Sequence, residues 1–319
     1  MASYSDRPGF WTQPAVRVAL VLMLSFFLSE PVTAAVSAAD KYQPPPVREY
    51  KLWYRNFDSP AILALLELAL AKTPEYGDFS IVRSVEMGQG RVLREMAESR
   101  TKLIDIANVA SSRERESELL AIPIPIPIDG GLLGFRVCVV RPHSLPLFEG
   151  VKSVEDIRDR GIRIGQGLHW PDTDILEVND VPVVTHTRYE ILFRMLRNDR
   201  FDCFARGVSE VTFDLAIEDD PNLVIEPTLL LAYPMPSYFF TAPDDYLTAH
   251  RVQLGMERAI VDGSFGHFLK EYYGKPLKDL ALDRRNVVVL RNPFLSEESR
   301  TIGRHTLSNL RRRLEVLSR

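Results

Sequence analysis

Two polar segments follow apolar, strand-like runs and carry the side chains best suited to hold a small ligand. The first is SSRER at 111–115, after KLIDIANVA, and the second is GQGLHWPDT at 165–173, after IRI. In open α/β sheets, ligands bind outside the carboxyl ends of the strands, and the free N–H groups of helix starts there favour anions. The two turns therefore predict a binding site for a small polar or anionic molecule.

Motifs of common catalytic and cofactor sites do not occur in the sequence. There is no HExxH, GxSxG, CxxC or GxxxxGKS/T pattern, and GIRIGQG at 161–167 lacks the dinucleotide-binding spacing. The six histidines show no metal-ligand spacing, and two cysteines cannot form a metal cluster. We therefore expect neither a cofactor nor a metal ion, and we assign no catalytic residue.

The composition is that of an ordinary folded protein. The 319 residues are 45% hydrophobic and 26% charged, which excludes a disordered chain and a polytopic membrane protein. Lys and Arg total 39 against 43 Asp and Glu, so the net charge is -4. Nucleic-acid binding favours a basic excess, and we expect no nucleic-acid partner.

The amino-terminal segment has the features of a secretory signal. Arg7 and Arg17 precede an apolar run at 18–28, and small residues lead to a cleavage site near 38–39. An uncleaved anchor is the alternative, but the apolar run is shorter than the roughly 20 residues that span a bilayer. We predict a cleaved signal peptide at 1–39 and a periplasmic mature chain without a transmembrane segment.

Both cysteines lie in apolar, strand-like runs, Cys138 in FRVCVV and Cys203 in FDCFA. Buried, inert thiols are the favoured interpretation. A bond between the two is the alternative, because an oxidising compartment permits it.

The mature chain shows two separate α/β alternations. Strands predicted at 50–55, 78–86 and 102–110 alternate with helices, which is typical of a parallel sheet with helices on its faces. Prolines 123, 125 and 127 then make 121–131 an extended connector rather than a central strand. A second alternation runs over 132–207.

A second proline-punctuated stretch, 222–243, and a helical segment that has no sheet of its own suggest that the chain returns to the first unit. We therefore divide the chain into a signal peptide (1–39), lobe I (46–131 plus 236–285), lobe II (132–235) and a carboxyl-terminal extension (286–319).

These elements and motifs together resemble the type II periplasmic solute-binding proteins of family 3, the amino-acid-binding branch, over about residues 48–285. The segment 112–115 resembles the T-x-x-R turn, whose arginine, here Arg115, grips the ligand α-carboxylate. IRIGQG resembles the strand and helix start that donate N–H groups to the same carboxylate, and DRFDCF at 199–204 resembles the G-R-x-D-A motif.

Two departures from that pattern bear on the ligand. Gly207 stands where the family has an aspartate for the α-ammonium, with Arg206 beside it, and GLHWPDT replaces the usual G-T-T or G-S-T. The resemblance with these departures implies an anion site rather than a standard amino-acid site, although Glu210 can supply a negative charge from another position.

The resemblance implies two lobes, each a mainly parallel sheet flanked by helices, joined by two extended hinge connectors. It further implies a binding protein that closes on a small-molecule ligand and delivers it to an ABC permease or a membrane sensor. The predicted ligand contacts are Trp53, Tyr54, Ser111, Ser112, Arg115, Gln166, Gly167, Trp170, Asp172, Thr173, Arg206 and Glu210.

Two other classes stay open. The resembled fold family includes a cyclohexadienyl dehydratase, for which Asp172, Glu210 and His169 would be the candidate acids, but a non-enzyme is favoured. An interaction protein that kept the fold is the other alternative. Its basic tail, 298–319, would dock on a partner or an anionic surface, whereas a solvated helix packed on lobe I is the simpler interpretation.

Overall fold

The computed structural model describes residues 47–98, 101–118 and 122–308. The predicted signal peptide, 1–39, and the end of the basic tail, 309–319, lie outside the described residues. The strands are β1 (Arg48–Leu52), β2 (Phe79–Arg83), β3 (Ile106–Ala110), β4 (Ile122–Ile124), β5 (Phe135–Val140), β6 (Ile164–Gly167), β7 (Val183–His186), β8 (Cys203–Gly207), β9 (Val224–Ile225), β10 (Leu229–Ala232), β11 (Ser237–Thr241) and β12 (Asn286–Val289).

The helices alternate with these strands over most of the chain. They are α1 (Tyr54–Phe57), α2 (Pro60–Ala71), α3 (Gln89–Glu98), α4 (Val154–Asp159), α5 (Pro171–Val178), α6 (Tyr189–Arg197), α7 (Val211–Glu218), α8 (Tyr246–Val261), α9 (Ser264–Asp279) and α10 (Glu297–Ser308). Proline occupies the first position of α2 and α5, where its missing N–H costs nothing. Pro60 suits the first position of a helix and the sequence favours a helix over 171–180, so both helices begin where the sequence predicts.

The first sheet has the strand order β2-β1-β3-β11-β4. β1, β2 and β3 are parallel, whereas β11 runs antiparallel to β3 and β4 antiparallel to β11. The proline-rich connector thus contributes a short edge strand, the one place in a sheet that tolerates proline. All five residues of β3 are buried, which is expected for a central strand covered by helices.

The second sheet has the order β12-β10-β5-β8-β6-β7, with β9 also paired to β5. β6 is parallel to both β7 and β8, while β5 is antiparallel to β8 and β10.

A disulfide joins Cys138 of β5 to Cys203 of β8. The favoured expectation of free thiols is therefore wrong. It failed because sequence spacing does not reveal that these strands are neighbours with Cα atoms 5.0 Å apart.

Two chain segments that pass between the sheets contact each other closely. The Tyr233 N–H donates to the Gly134 carbonyl, with an N–O distance of 3.0 Å. A Cβ at Gly134 would lie 2.1 Å from the Tyr233 oxygen, so only glycine allows the two segments to approach this closely.

The carboxyl-terminal extension adds to the second sheet and then returns to the first. β12 pairs in parallel with β10. Beyond it, the Arg113 N–H donates to the Phe294 carbonyl over 2.8 Å, and Leu295 is fully buried. Ser299, in α10, contacts both Glu116 and Tyr238 at distances of 2.7 and 3.0 Å. The start of α10 is therefore packed on the body of the protein.

The predicted elements agree with the observed ones except at a few boundaries. The strand predicted at 50–55 ends at Leu52, and α1 begins at Tyr54. The polar segment after β3 forms a π-helical turn, Glu114–Glu118, and the stretch predicted as extended over 222–243 holds β9, β10 and β11. No helix within the described residues has the length and apolar character needed to cross a membrane.

Candidate functional site

A cavity of about 370 Å³ lies between the two sheets. Its lining includes the last residues of β3 and the segments that follow β1, β6 and β8, so it sits at the carboxyl ends of parallel strands from both sheets. This is the position at which open α/β folds bind ligands, and the volume falls in the range of roughly 300–1,000 Å³ that is common for small-molecule sites.

One wall of the cavity is a buried ion-pair cluster around Arg136. Its Nη2 lies 2.9 Å from Asp172 Oδ1, and its Nη1 lies 3.3 Å from Glu210 Oε2. The Tyr233 hydroxyl donates to the same Asp172 oxygen over 2.5 Å. Burial alone would lower the pKa of Arg136, but the carboxylates of Asp172 and Glu210 outweigh it and raise that pKa. Arg136 is therefore a neutralised cation.

Arg206 forms a second cluster of the same kind. Its Nε donates to Asp214 over 2.7 Å, and its Nη2 lies 3.1 Å from Glu210 Oε2. The guanidinium also lies 5.1 Å from the ring of Trp170 and 5.3 Å from that of Tyr189. Burial raises the pKa of Glu210, yet the charges of Arg206, Arg136 and, to a smaller extent, Arg55 together hold it below its usual value. Glu210 is thus an ionised bridge between the clusters.

Arg55, at the carboxyl end of β1, also lines the cavity. Its guanidinium carbon lies 3.5 Å from the ring centroid of Tyr189, a stacking contact between α1 and α6. Within the described residues it forms no ion pair and no hydrogen bond. Its donors are therefore open to a ligand, unlike those of Arg136 and Arg206.

Asp129, in the connector before β5, is a carboxylate that lines the cavity without a basic partner among the described residues. The side chain lines the cavity and the residue is only 3% exposed. Oδ1 accepts from the Gly131 N–H over 2.9 Å, and Oδ2 accepts from the Ser209 hydroxyl over 3.0 Å. Burial raises the pKa of Asp129 to about 6, against 3.8 for a free side chain. This carboxylate has no arginine or lysine within ion-pair distance in the described part of the chain.

Five of the twelve predicted contact residues line the cavity: Trp53, Trp170, Asp172, Arg206 and Glu210. Trp53 is fixed by its indole N–H, which donates to the Met87 carbonyl over 3.0 Å. The Trp170 ring stacks on Phe204, so it serves the core and the cavity wall together.

Arg115 is buried and does not line the cavity. Its guanidinium donates to the carbonyl oxygens of Ala110 and His169 over 2.6 and 2.7 Å, and to Gln89 Oε1 over 2.6 Å. Burial lowers its pKa to about 10, so the side chain stays charged at neutral pH. In this conformation the Arg115 guanidinium joins residues from three segments, and it is not part of the cavity lining.

The predicted contacts Ser111, Ser112, Gln166, Gly167 and Thr173 are also outside the cavity lining. Ser111 is held by Pro236 and Glu116, and Ser112 accepts from the Arg115 N–H over 3.3 Å. The Trp170 ring packs directly against Gly167, leaving no room for a Cβ there.

Thr173 and Gln166 are held by hydrogen bonds to the backbone of β6 and β8. The Thr173 hydroxyl donates to the Gly167 carbonyl over 3.1 Å, and Gln166 Nε2 donates to the Ala205 carbonyl over 3.0 Å. Gln166 Oε1 is buried with no hydrogen-bond partner within the described residues.

Tyr54 connects the two sheets outside the cavity. Its hydroxyl donates to Glu190 Oε1 of α6 over 3.0 Å. Burial and this carboxylate raise the pKa of Tyr54 to about 12. The residue therefore contributes to contact between the two halves rather than to the cavity wall.

Sequence reasoning missed four charged residues that line the cavity: Arg55, Asp129, Arg136 and Asp214. The first three left a signal. Arg55 ends the first predicted strand, Asp129 precedes two glycines at the end of the proline-rich connector, and Arg136 is a charge inside an apolar strand. A buried charge of that kind needs a partner, which here comes from distant segments.

The wall offers charge and aromatic surface without a metal site. Among the described residues, no group of three or more His, Cys, Asp or Glu side chains could hold a metal ion. Arg136 and Arg206 are neutralised, whereas Arg55 and Asp129 have no oppositely charged side chain within ion-pair distance in the described part of the chain. The arrangement can therefore bind and orient a small charged solute.

No protein-family model and no curated protein matches the sequence. Solved structures do match in fold. The GluR0 ligand-binding core in complex with L-glutamate is 12% identical with a TM-score of 0.53, covering 72% of this chain and 98% of its own.

Two further structures give similar values. A periplasmic binding protein from Salmonella typhimurium with high arginine specificity is 11% identical with a TM-score of 0.51, covering 71% of this chain and 100% of its own. A structure from work on glutathione import through GshT and the cystine ABC importer TcyBC of Streptococcus mutans is 13% identical with a TM-score of 0.51, covering 72% and 96%.

These matches identify the fold of the chain. The chain has the type II periplasmic-binding-protein fold, with two mainly parallel sheets flanked by helices. The resemblance inferred from the order of sequence elements is confirmed at this level, and the low identity fits a divergent example of the fold.

Proposed function

We propose that the protein is an exported solute-binding protein that captures a small polar, carboxylate-bearing molecule in the cavity between its sheets. One observation carries the proposal. Arg55 lines the cavity and forms no ion pair or hydrogen bond with a carboxylate in the described part of the chain, although its charge helps to lower the pKa of Glu210. Guanidinium groups pair with carboxylates through two parallel hydrogen bonds, so an open arginine in a cavity of this size suits an acidic solute.

The remaining cavity charges support the same assignment. Arg136 and Arg206 are each paired with two carboxylates, so neither is available to an incoming anion without breaking a buried ion pair. Breaking such pairs costs about 3–5 kcal/mol, which is a large part of the free energy of an ordinary binding step. An acidic ligand would therefore bind Arg55 first.

Binding would be coupled to hinge closure between lobe I (46–131 plus 236–285) and lobe II (132–235). Contacts that join the two proposed lobes surround the cavity: Tyr54 with Glu190, Arg55 with Tyr189, and Arg115 with His169. A ligand held by both walls would add to these contacts and favour the closed arrangement.

Export would depend on residues 1–39, and the loaded protein would deliver its solute to an ABC permease or to the outer domain of a membrane sensor. The amino-terminal residue of the protein recovered from the periplasm, measured by mass spectrometry, tests the first step. A chain that retains residues 1–39 would contradict it.

The binding test uses the chain from Asp40, unfolded and refolded to remove any bound solute. Thermal unfolding is recorded with L-glutamate, L-arginine, glutathione, dicarboxylates, aromatic acids and polyamines. A ligand at 100 times its Kd stabilises the folded state by about 2.7 kcal/mol, which is a measurable shift.

The variants identify the anchoring arginine. An acidic hit that is lost in Arg55→Gln and kept in Arg113→Gln supports the proposal, because Arg113 is an exposed arginine outside the cavity. A hit kept in Arg55→Gln but lost in Arg115→Lys would assign the carboxylate to Arg115, as the family resemblance implies. No hit in a well-folded protein would contradict solute binding.

A further inference from the structure

A third segment of the chain connects the two sheets, in addition to the proline-rich connectors. It comprises residues 290–299, and we call it the strap. At one end the Leu290 N–H donates to the Ala232 carbonyl of β10 over 2.9 Å, and at the other end Leu295 is fully buried. Only four residues, 291–294, lie between these two anchors, so the anchors can be at most about 18 Å apart.

Asn179, the residue that follows α5, holds the strap on the side of the second sheet. Its Oδ1 accepts from the Arg291 N–H over 3.1 Å, and its Nδ2 donates to the Arg291 carbonyl over 2.8 Å. The Arg291 guanidinium donates to the Val178 carbonyl over 3.0 Å. The next strap residue, Asn292, is buried and donates from Nδ2 to the Pro234 carbonyl over 2.8 Å. The strap is therefore attached to α5 and to the connector after β10.

The turn after β3, 111–118, holds the strap on the side of the first sheet. The Arg113 N–H of this turn donates to the Phe294 carbonyl over 2.8 Å. Glu116 Oε1 accepts from the hydroxyl of Ser299, a buried residue, over 2.7 Å. The strap is thus fixed to this turn at two separate points, one through its backbone and one through a side chain.

The same turn is also joined directly to the second sheet. Arg115 Nη2 donates to the carbonyl of His169, in the segment after β6, over 2.7 Å. The His169 ring packs against Gly90 of α3, where a Cβ would lie 2.9 Å from the ring. The turn therefore has two attachments to the second sheet, one through Arg115 and one through the strap. A motion that separates the sheets at the cavity has to break the first attachment and disturb the anchors of the second.

We infer that the strap restricts the hinge motion between the two sheets and keeps the ligand-free protein near the closed arrangement. Two extended connectors alone leave a hinge in which a few residues absorb the rotation. A third connection that is short and anchored at both ends removes part of that freedom. The chain itself then supplies contacts that favour the closed arrangement, and a ligand adds to them. The inference concerns the ligand-free protein, so it holds whatever solute the cavity takes.

Double electron–electron resonance between two spin labels measures the separation of the sheets. Glu86→Cys and Arg188→Cys place the labels at exposed positions outside the cavity lining. Arg188 Nε lies 3.7 Å from Glu190 Oε2. Glu86 pairs with Arg83, whose guanidinium carbon lies 5.1 Å from the Tyr54 ring centroid. Since Tyr54 and Glu190 are bonded to each other across the two sheets, the labels report on the opening between them.

The native cysteines do not interfere with this labelling. Cys138 and Cys203 are joined in a disulfide and are both buried, so they take no label while the bond is intact.

A longer strap tests the inference without removing any anchor. About six glycine and serine residues inserted between Pro293 and Phe294 add slack, and loop insertions of this kind cost little in stability. We expect one short label separation in the ligand-free parent and an additional, longer separation in the insertion variant. The same insertion between Asp219 and Asp220 lengthens the connection from α7 to β9, which does not join the two sheets. This control should leave the label separation unchanged.

Asn179→Ala is a second test, which keeps the length of the strap and decides the question if the insertion variant does not fold. It removes both side-chain bonds to Arg291 and should also add a longer label separation. Asn198→Ala is the matched control, because Asn198 follows α6 as Asn179 follows α5. Each side chain donates to a carbonyl of its own helix over 2.7 Å, that of Arg194 or that of Ile175. Within the described residues no hydrogen bond joins Asn198 to the strap, so its loss should not change the separation.

Three results would overturn the inference. Identical label separations in the parent and in the strap variants would mean that other contacts hold the sheets together. An equal change in a strap variant and in its control would mean that the effect is not specific to the strap. A ligand-free parent that already populates the longer separation would mean that the strap does not restrict opening. None of these results bears on solute capture, which the thermal-unfolding test decides separately.

Discussion

Arg136 and Asp172 form an ion pair with an Nη2–Oδ1 distance of 2.9 Å, and their side chains are only 4% and 3% exposed. The two residues come from β5 and from the start of α5, so the pair joins segments that are adjacent only in the folded chain. Gly207 leaves the space that the Arg136 guanidinium occupies, since a Cβ there would lie 2.7 Å from Nη1.

Removal of one partner from this pair should destabilise the protein strongly. Asp172→Ala leaves the Arg136 charge buried with only Glu210 beside it, and we expect a loss of about 3–5 kcal/mol in the free energy of unfolding. Denaturant unfolding measures the change.

The control for Asp172→Ala is Asp199→Ala, which removes a surface partner of Arg141 whose own side chain is 53% exposed. That variant should lose less than about 1 kcal/mol. Equal losses in the two variants would mean that the Arg136–Asp172 pair is not a special contributor to stability.

The disulfide should contribute to stability through the loop that it closes. Cys138 and Cys203 are separated by 65 positions, and a crosslink over such a loop typically stabilises by roughly 2–4 kcal/mol. Reduction should therefore lower the free energy of unfolding of the native protein by that amount. The Cys138→Ala, Cys203→Ala double variant serves as the control and should not respond to reductant. A native protein that is equally insensitive would argue against the bond.

Asp129 should make the stability of the unliganded protein depend on pH. Its pKa is raised from 3.8 to about 6 on folding, so its ionised form is less stable in the folded state than in the unfolded state. The contribution of Asp129 to the free energy of unfolding is therefore largest below pH 3.8, where the side chain is protonated. That contribution is lost as the pH rises through about 6.

Asp129→Asn removes this titration. Between pH 3.8 and about 6, the free energy of unfolding of the variant should rise relative to that of the native protein. Above this range the difference should reach on the order of 2–3 kcal/mol. Urea unfolding of both proteins at about pH 4 and about pH 8 measures the difference. A difference that does not change with pH would contradict the burial of an uncompensated carboxylate.

Arg115 should be important for stability whatever its part in binding. Its three hydrogen bonds join Ala110, Gln89 and His169, and Arg115→Ala would leave their oxygens without this donor. We expect a loss on the order of 3 kcal/mol in the free energy of unfolding. Arg113→Ala is the neighbouring control, because its side chain makes a single 3.4 Å bond to the Leu295 carbonyl. A comparable loss in both variants would refute this role.

The carboxyl-terminal segment should also be part of the stable core. Leu295 is fully buried between β12 and α10, so Leu295→Ala should cost roughly 2–5 kcal/mol. Leu247→Ala is the control, because Leu247 is 56% exposed. This variant should change the midpoint of thermal unfolding little. If Leu295→Ala is equally mild, the return of the chain to the first sheet is not a stabilising contact.

The sequence by itself determined the two α/β alternations, the helix starts at Pro60 and Pro171, and the exclusion of the proline-rich connector from the centre of a sheet. These are local properties, because side-chain periodicity and proline geometry act within a few residues. The order of the elements was enough to predict the type II fold. Within the site, the same local signals placed Trp53, Trp170, Asp172, Arg206 and Glu210 near a ligand, since each lies at the end of a strand or in the turn after it.

Only the tertiary structure decided which of those charges are available. The resemblance implied an anion site at Arg206, but Asp214 and Glu210 neutralise this arginine in the fold. Arg136 finds its partner 36 positions away in Asp172, and the Asp129 side chain is oriented by Ser209, 80 positions away. Pairing across such separations depends on how strands are ordered in a sheet, and hydrophobic periodicity carries no information about that order.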